Sequence, residues 1–256
     1  MKLLKTLLVA GTVFAAGLAH AEKITIAAAA DLKFAMDEIV AGFRKGNPSD
    51  EIEVIYGSSG KFQTQLQQGA PYDLFFSADI GYPRELAKAG LASSDVKPYA
   101  FGRIVLWSQS VDASKLTLES LSDAKFARVA IANPKHAPYG KRAEEALRAS
   151  KLWGKIEPKL VYGENIAHTA QFVQTGNAQV GIIALALALN PALADKGGYY
   201  LIPDNLHEPL EQGFIITKRA EGNALAKRFA AYMGDKATRA VMTRYGFVLP
   251  GETVGK

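Results

Sequence analysis

Short runs of apolar residues alternate along this chain with stretches in which apolar positions return every three or four residues. An unbroken or alternating run of four to eight marks a strand, and a 3.6-residue period marks a helix lying on a core. Ile24-Thr25-Ile26-Ala27-Ala28 therefore predicts a strand, and Leu32, Ala35, Met36, Ile39, Val40 and Phe43 predict the helix that follows it. The alternation continues with a strand over 52–56, a helix over 61–68, a strand over 74–77 and a helix over 83–89. A second series has strands over 104–107 and 129–132, a helix over 141–150, a strand over 160–162, a helix over 168–174 and a strand over 180–184. A strand over 214–217 and two helical patterns, 223–233 and 236–245, end the chain. Strands interleaved with helices predict βα units and a mainly parallel sheet, and two such series predict an α/β protein with two lobes.

The N-terminus sets the compartment. Lys2 and Lys5 precede an apolar run from Leu7 to Leu18 that closes on Ala19-His20-Ala21, the layout of a signal peptide with cleavage after Ala21. A spanning helix needs about 20 unbroken apolar residues, and this shorter run is interrupted by Gly11, Thr12 and Gly17. Residues 1–21 are thus expected to be removed and the remainder to be periplasmic. The chain has no cysteine, so neither disulfides nor a lipid-attachment cysteine are expected, and stability must come from the core. The formal charge of +5 falls by two when the signal segment is removed. That small, dispersed excess excludes a nucleic-acid surface, which needs Lys and Arg gathered on one face.

In open α/β sheets a ligand sits beyond the carboxyl ends of the strands, where helix N-termini present unpaired N–H groups and partial positive charge. The candidate chemistry therefore lies at the strand-to-helix joints. Ala28-Ala29-Ala30-Asp31 is the first, with small residues that let backbone approach a ligand. Gly57-Ser58-Ser59-Gly60-Lys61 is the second, with two hydroxyls and the glycine freedom of an anion nest. Asn133-Pro134-Lys135-His136-Ala137-Pro138-Tyr139-Gly140 and Gly163-Glu164-Asn165-Ile166-Ala167-His168 are the joints of the second series.

The series Ala27 to Asp31, Gly57-Ser58-Ser59-Gly60, Gly69-Ala70-Pro71-Tyr72-Asp73-Leu74-Phe75-Phe76-Ser77-Ala78-Asp79, Pro134 to Gly140 and Arg244-Tyr245-Gly246-Phe247 resembles the periplasmic molybdate-binding proteins of ABC importers, across nearly the whole mature chain. The resemblance implies a two-lobed, type II periplasmic binding protein fold with the ligand cleft between the lobes. Lobe I would comprise 22–103 and 215–256, and lobe II 104–214, with crossings near Phe101-Gly102-Arg103 and Gly213-Phe214. It implies a tetrahedral oxyanion, molybdate or tungstate, held by neutral donors, with no cofactor and no metal cation. The implied ligand-binding residues are Ala30, Asp31, Ser58, Ser59, Tyr139 and Ile166, the last through its backbone N–H. The implied partner is the membrane permease of an ABC importer, and a monomer is expected.

Two positions depart from the family's pattern. Asp31 stands where serine or asparagine is usual, and an ionised carboxylate repels a dianion and donates nothing to it. Three outcomes are open: Asp31 caps the helix, accepts a proton from a protonated oxyanion such as phosphate or arsenate, or is itself protonated. Ala184 stands where some relatives carry a tyrosine, and the Tyr139 hydroxyl is expected to replace it. Lys33, Lys61 and Lys141 near helix starts are expected to be solvated, and His136, His168 and His207 lack the spacing of a metal site. An enzyme is not expected, because nucleophile-elbow, H-E-x-x-H and Walker motifs are absent. The remaining enzymatic alternative is a hydrolase built on Ser59 with His136 or His168.

Overall fold

A computed structural model of the chain describes residues 22–194 and 197–252, so the expected signal peptide, 1–21, lies outside the described residues. The elements are β1 (Lys23–Ala29), α1 (Lys33–Gly46), β2 (Glu51–Gly57), α2 (Ser59–Gln67), β3 (Leu74–Ser77), α3 (Gly81–Lys88), β4 (Lys97–Gly102) and β5 (Ile104–Trp107). They continue with β6 (Val129–Ala132), α4 (Pro138–Ala149), α5 (Trp153–Ile156), β7 (Leu160–Gly163), α6 (Ile166–Gln174), β8 (Val180–Ala184) and α7 (Leu185–Ala188). Then come α8 (Pro191–Ala194), β9 (Tyr199–Leu201), β10 (Leu210–Ile216), α9 (Ala224–Tyr232) and α10 (Lys236–Arg244).

The strands form two five-stranded sheets, ordered β2-β1-β3-β10-β4 and β7-β6-β8-β5-β9. In the first, β2, β1 and β3 are parallel and β10 runs against both β3 and β4. In the second, β7, β6 and β8 are parallel and β5 runs against both β8 and β9. Each sheet is therefore mainly parallel, and its one reversed strand is the strand by which the chain enters that lobe. The chain leaves the first sheet through Gly102-Arg103 and returns between β9 and β10. The return crossing thus lies at 202–209, upstream of the expected Gly213-Phe214, because 210–214 already pair in the first sheet.

Alternation across the first sheet separates two cores. The row Ala27, Phe75 and Ile215 points toward α2 and α3, with Phe62, Leu66 and Leu86. The row Ala28, Phe76 and Phe214 points toward α1 and α9, where Phe76 stacks on Phe214 at 4.7 Å between ring centroids. On α1 the predicted stripe Ala35, Met36, Ile39, Val40 and Phe43 is buried. Burying an aliphatic or aromatic side chain of this size stabilises by about 1.5–3 kcal/mol, so the stripe fixes the orientation of α1 and with it the joint at its N-terminus. Lobe II has a single core around Trp107, Phe126, Ile131, Leu147 and Ile182. The sequence pattern missed β4 and β9, edge strands whose sequences, Lys-Pro-Tyr-Ala-Phe-Gly and Tyr-Tyr-Leu, carry little periodicity. Among the described residues, no helix is long and apolar enough to cross a membrane.

Candidate functional site

The cleft-side ends of the parallel strands meet around one small cavity lined by Ala29, Ala30, Asp31, Gly57, Ser58, Ser59, Ala78, Ala137, Pro138, Tyr139 and Ile166. All six residues expected to bind the ligand are in this lining. No Lys, Arg or His is. Ser59 is completely buried, and Ala30, Asp31, Ser58, Tyr139 and Ile166 are nearly so, because the two lobes close over the cavity.

The helix starts are arranged so that their donors stay available. The first N–H groups of any helix lack intrahelical partners and are usually taken by a Ser, Thr, Asp or Asn side chain at the N-cap. Ser58 occupies the N-cap of α2 in extended conformation yet makes no capping bond; its hydroxyl pairs with His136 Nδ1 at 3.0 Å. Helix α4 begins on Pro138, which has no N–H to satisfy, and also lacks a side-chain cap. Asn165 does cap α6, but it accepts from the N–H of His168, at 3.0 Å. Among the described residues, the N–H groups of Ser59, Tyr139 and Ile166 accordingly meet no protein acceptor. Ser59 Oγ accepts from the N–H of Ala78 at 3.0 Å, which orients the hydroxyl and leaves its proton free.

Asp31 does not cap. The short 3₁₀ turn it belongs to has no side-chain capping bond, and neither does α1 after it. Its Oδ2 instead accepts from the Tyr139 hydroxyl at 2.8 Å and from Gln212 Nε2 at 2.7 Å, and Gln212 Nε2 also reaches the Tyr139 oxygen at 3.1 Å. Oδ1 is buried without a hydrogen-bond partner. Burial raises the Asp31 carboxyl to about 6, against the opposing effect of the Gln212 and Tyr139 hydrogen bonds and the nearby N–H groups of Asp31 and Leu32. The Tyr139 hydroxyl, expected to stand in for the tyrosine missing at Ala184, is thus engaged by Asp31, and the free donor at Tyr139 is its backbone N–H. Gly102, in the outgoing crossing, makes room for this network: a Cβ there would lie 2.2 Å from the Tyr139 hydroxyl and 2.6 Å from Gln212 Nε2.

Further contacts hold the lobes together at the rim. The Gly60 N–H donates to His136 O at 3.0 Å, and a Cβ on Gly60 would lie 2.8 Å from that oxygen. Lys61 pairs with Glu164, and Arg142, buried and bonded to Glu145 at 2.7 Å, stands 3.8 Å from Asp79. Desolvation pushes His136 below the ordinary imidazole value, partly offset by Glu164. Lys33 pairs with Asp37 at 3.3 Å on the surface, and Lys141 is exposed, so neither enters the cavity. His168 accepts from the Glu164 N–H, and His207 lies beside its own chain at Glu208 O. Among the described residues, no group of His, Cys, Asp and Glu is placed to hold a metal cation.

The sequence reading missed Gln212 and Gly102. Gln212 lies mid-strand and Gly102 at a crossing, and neither sits in a joint motif that would have drawn attention to it.

Residues 24–248 match the family model of the bacterial extracellular solute-binding proteins. The molybdate-binding protein ModA of Azotobacter vinelandii is 34% identical over 236 residues, which are 90% of this chain and 92% of that one. ModA of Rhodobacter capsulatus is 33% identical over 235 residues, 90% of each. The solved structure of the Azotobacter vinelandii periplasmic molybdate-binding protein superposes with a TM-score of 0.84 at 29% identity, covering 89% of this chain and 99% of that chain. A fold of two crossed-over α/β lobes, a buried interlobe cavity and relatives matched over nearly their full length place this chain in the bacterial extracellular solute-binding protein family, together with the ModA proteins.

Proposed function

We propose that this protein is a periplasmic receptor that captures molybdate or tungstate in the interlobe cavity and hands it to the membrane permease of an ABC importer. The carrying observation is the buried cavity between the lobes, lined by neutral donors from both and by no cationic side chain. A tetrahedral dianion suits such a site. The Ser59 hydroxyl and N–H supply donors from one side, and the N–H groups of Tyr139 and Ile166 supply them from the other, with Ala30 and Ser58 completing the wall. Each hydrogen bond to a charged group contributes about 1.5–3 kcal/mol, and each helix N-terminus adds about 0.3–1 kcal/mol, more when partly buried. The donors contact oxygens, so no side chain coordinates the metal.

Capture follows from the same geometry. With the lobes apart, each offers only half of the donors; closure about the two crossings brings them together and removes water from the anion. The Gly60–His136 and Lys61–Glu164 contacts form only in the closed state, the form a permease would distinguish from the empty receptor. Binding without turnover is the reading of the serines. The Ser59 hydroxyl is not bonded to a histidine, and His136, which is bonded to Ser58, has its other nitrogen 3.9 Å from Glu164, too far for an orienting hydrogen bond. Molybdate and tungstate differ little in size and charge, so the site is expected to take both.

Calorimetric titration of the purified mature chain with molybdate, tungstate, sulfate, phosphate and arsenate tests this. Tight binding of the first two with weak or no binding of phosphate and arsenate is expected. No binding of either metal oxyanion, or tighter binding of phosphate, refutes it.

A further inference from the structure

Asp31 presents a contradiction within the oxyanion-binding reading, on which this inference rests. The cavity that would hold a dianion includes a carboxylate in its wall, and no cationic side chain lines the cavity to compensate. The two oxygens of that carboxylate are not equivalent. Oδ2 is occupied by two donors, the Tyr139 hydroxyl at 2.8 Å and Gln212 Nε2 at 2.7 Å, while Oδ1 has none. Of the two oxygens, Oδ1 is the one that can take a proton with the present hydrogen bonds unchanged. On Oδ1 it leaves both existing hydrogen bonds intact and turns an acceptor with no partner into a donor.

We propose that Asp31 takes up one proton from solvent when the oxyanion binds and, protonated on Oδ1, donates a hydrogen bond to it. The dianion, the protein and the proton combine with nothing released, and the cavity gains one negative charge instead of two. In the closed protein burial has already raised Asp31 to about 6. A dianion a few ångströms away raises it further by Coulomb repulsion.

The groups around Asp31 leave it as the proton acceptor. Tyr139 on α4 and Tyr99 on β4 are both held well above the ordinary phenol value, chiefly by burial, and stay neutral. Tyr56 on β2 is likewise raised by burial and by Asp37. Lys33 is paired with Asp37, and Lys61 with Glu164, both on the surface. His168 on α6 lies outside the cavity lining. His136 is the remaining imidazole at the rim, and desolvation displaces it in the opposite direction, toward the neutral form.

The experiment is calorimetric titration with molybdate, tungstate, phosphate and arsenate in pairs of buffers of different ionisation enthalpy, which counts protons, on the wild type, Asp31→Asn and His136→Gln. The wild type is expected to take up close to one proton per anion near neutral pH, and its affinity to rise about tenfold for each pH unit lowered between about pH 8 and about pH 6. Asp31→Asn keeps the shape and supplies an N–H in place of the O–H, so its affinity is expected to lose that slope and its proton count to fall to near zero. His136→Gln keeps both. Binding without proton uptake in the wild type overturns the inference and leaves the oxyanion reading standing, and the wild-type count alone decides this if Asp31→Asn does not fold. A slope that survives in Asp31→Asn and vanishes in His136→Gln assigns the proton to His136 and overturns it as well. Preference for hydrogen phosphate or hydrogen arsenate, bound without uptake, means that Asp31 stays ionised and accepts the ligand's own proton. No binding of any anion refutes this inference and the oxyanion reading together.

Discussion

Replacing Ser59 with alanine separates what this hydroxyl does for the ligand from what it does for the protein. Ser59 is fully buried, and its oxygen accepts from the N–H of Ala78 at 3.0 Å, so only its proton is left for an anion. Losing a donor to a charged ligand costs about 1.5–3 kcal/mol, which is an affinity roughly 13- to 150-fold weaker. The same change leaves the Ala78 N–H buried without an acceptor, costing the free protein about 1–3 kcal/mol. That cost lowers Tm by about 2–4 °C for each kcal/mol at this chain length. Calorimetric titration with molybdate reads the first quantity and thermal melting without ligand reads the second. The two combine in melting with ligand: at a hundred times the wild-type Kd the anion adds about 2.7 kcal/mol to stability, and a Kd weakened a hundredfold cuts this to about 0.4 kcal/mol. A variant whose free Tm falls while its affinity stays within about threefold of wild type refutes the reasoning, because it makes Ser59 a structural acceptor and nothing more.

Gly60→Ala brings a methyl group within 2.8 Å of His136 O across the cleft. Because the clash exists only in the closed state, binding is expected to weaken by the 1–3 kcal/mol typical of overpacking, about 5- to 150-fold, with an unchanged free Tm; an equal loss in the free Tm places the clash in the unliganded protein. Asp31, raised from 3.8 to about 6 on folding, is harder to ionise in the folded state. Its contribution to stability is therefore fully present below about 3.8 and lost as pH rises through about 6, amounting to about 3 kcal/mol. Asp31→Asn is expected to stabilise the ligand-free protein at neutral pH by no more than that amount, in proportion to how far its lobes are closed, and to flatten this part of its pH profile in denaturant titrations; an unchanged profile refutes the assignment. Lys61→Ala removes an ion pair whose partners are both about half exposed. At physiological salt it is expected to change molybdate affinity by less than about fivefold, and a larger loss in calorimetry makes that pair part of the closure machinery.

Four strands of the fold were legible as apolar runs because both faces of each are buried. The strands at 104–107 and 129–132 are continuous apolar runs bounded by polar residues; 74–77 closes on Ser77, and the apolar run of 180–184 continues into α7, yet the structure places all four at the expected bounds. Helices α4 and α6 start two or three residues before their sequence-predicted beginnings. Those early residues, Pro138, Tyr139 and Ile166, face the cavity, so the helical period of the core-facing stripe does not include them. The site was legible as a set of joints, since a strand ending in small or hydroxyl residues before a helix is a local signal. What Asp31 does was not legible, because its partners lie 108 and 181 residues away in the sequence.

The sequence by itself determined the alternation of strands and helices, the two lobes and the positions of the polar joints, because periodicity and turn chemistry act over a few residues. Tertiary structure decided which joints face one another, how tightly the lobes meet at Gly60 and His136, and that the Tyr139 hydroxyl turns to Asp31. It also decided that Asp31 is buried with one oxygen satisfied and the other not. These are outcomes of long-range packing: whether a carboxyl is charged depends on the water it has lost and the donors it has met, and both are fixed only when distant parts of the chain come together.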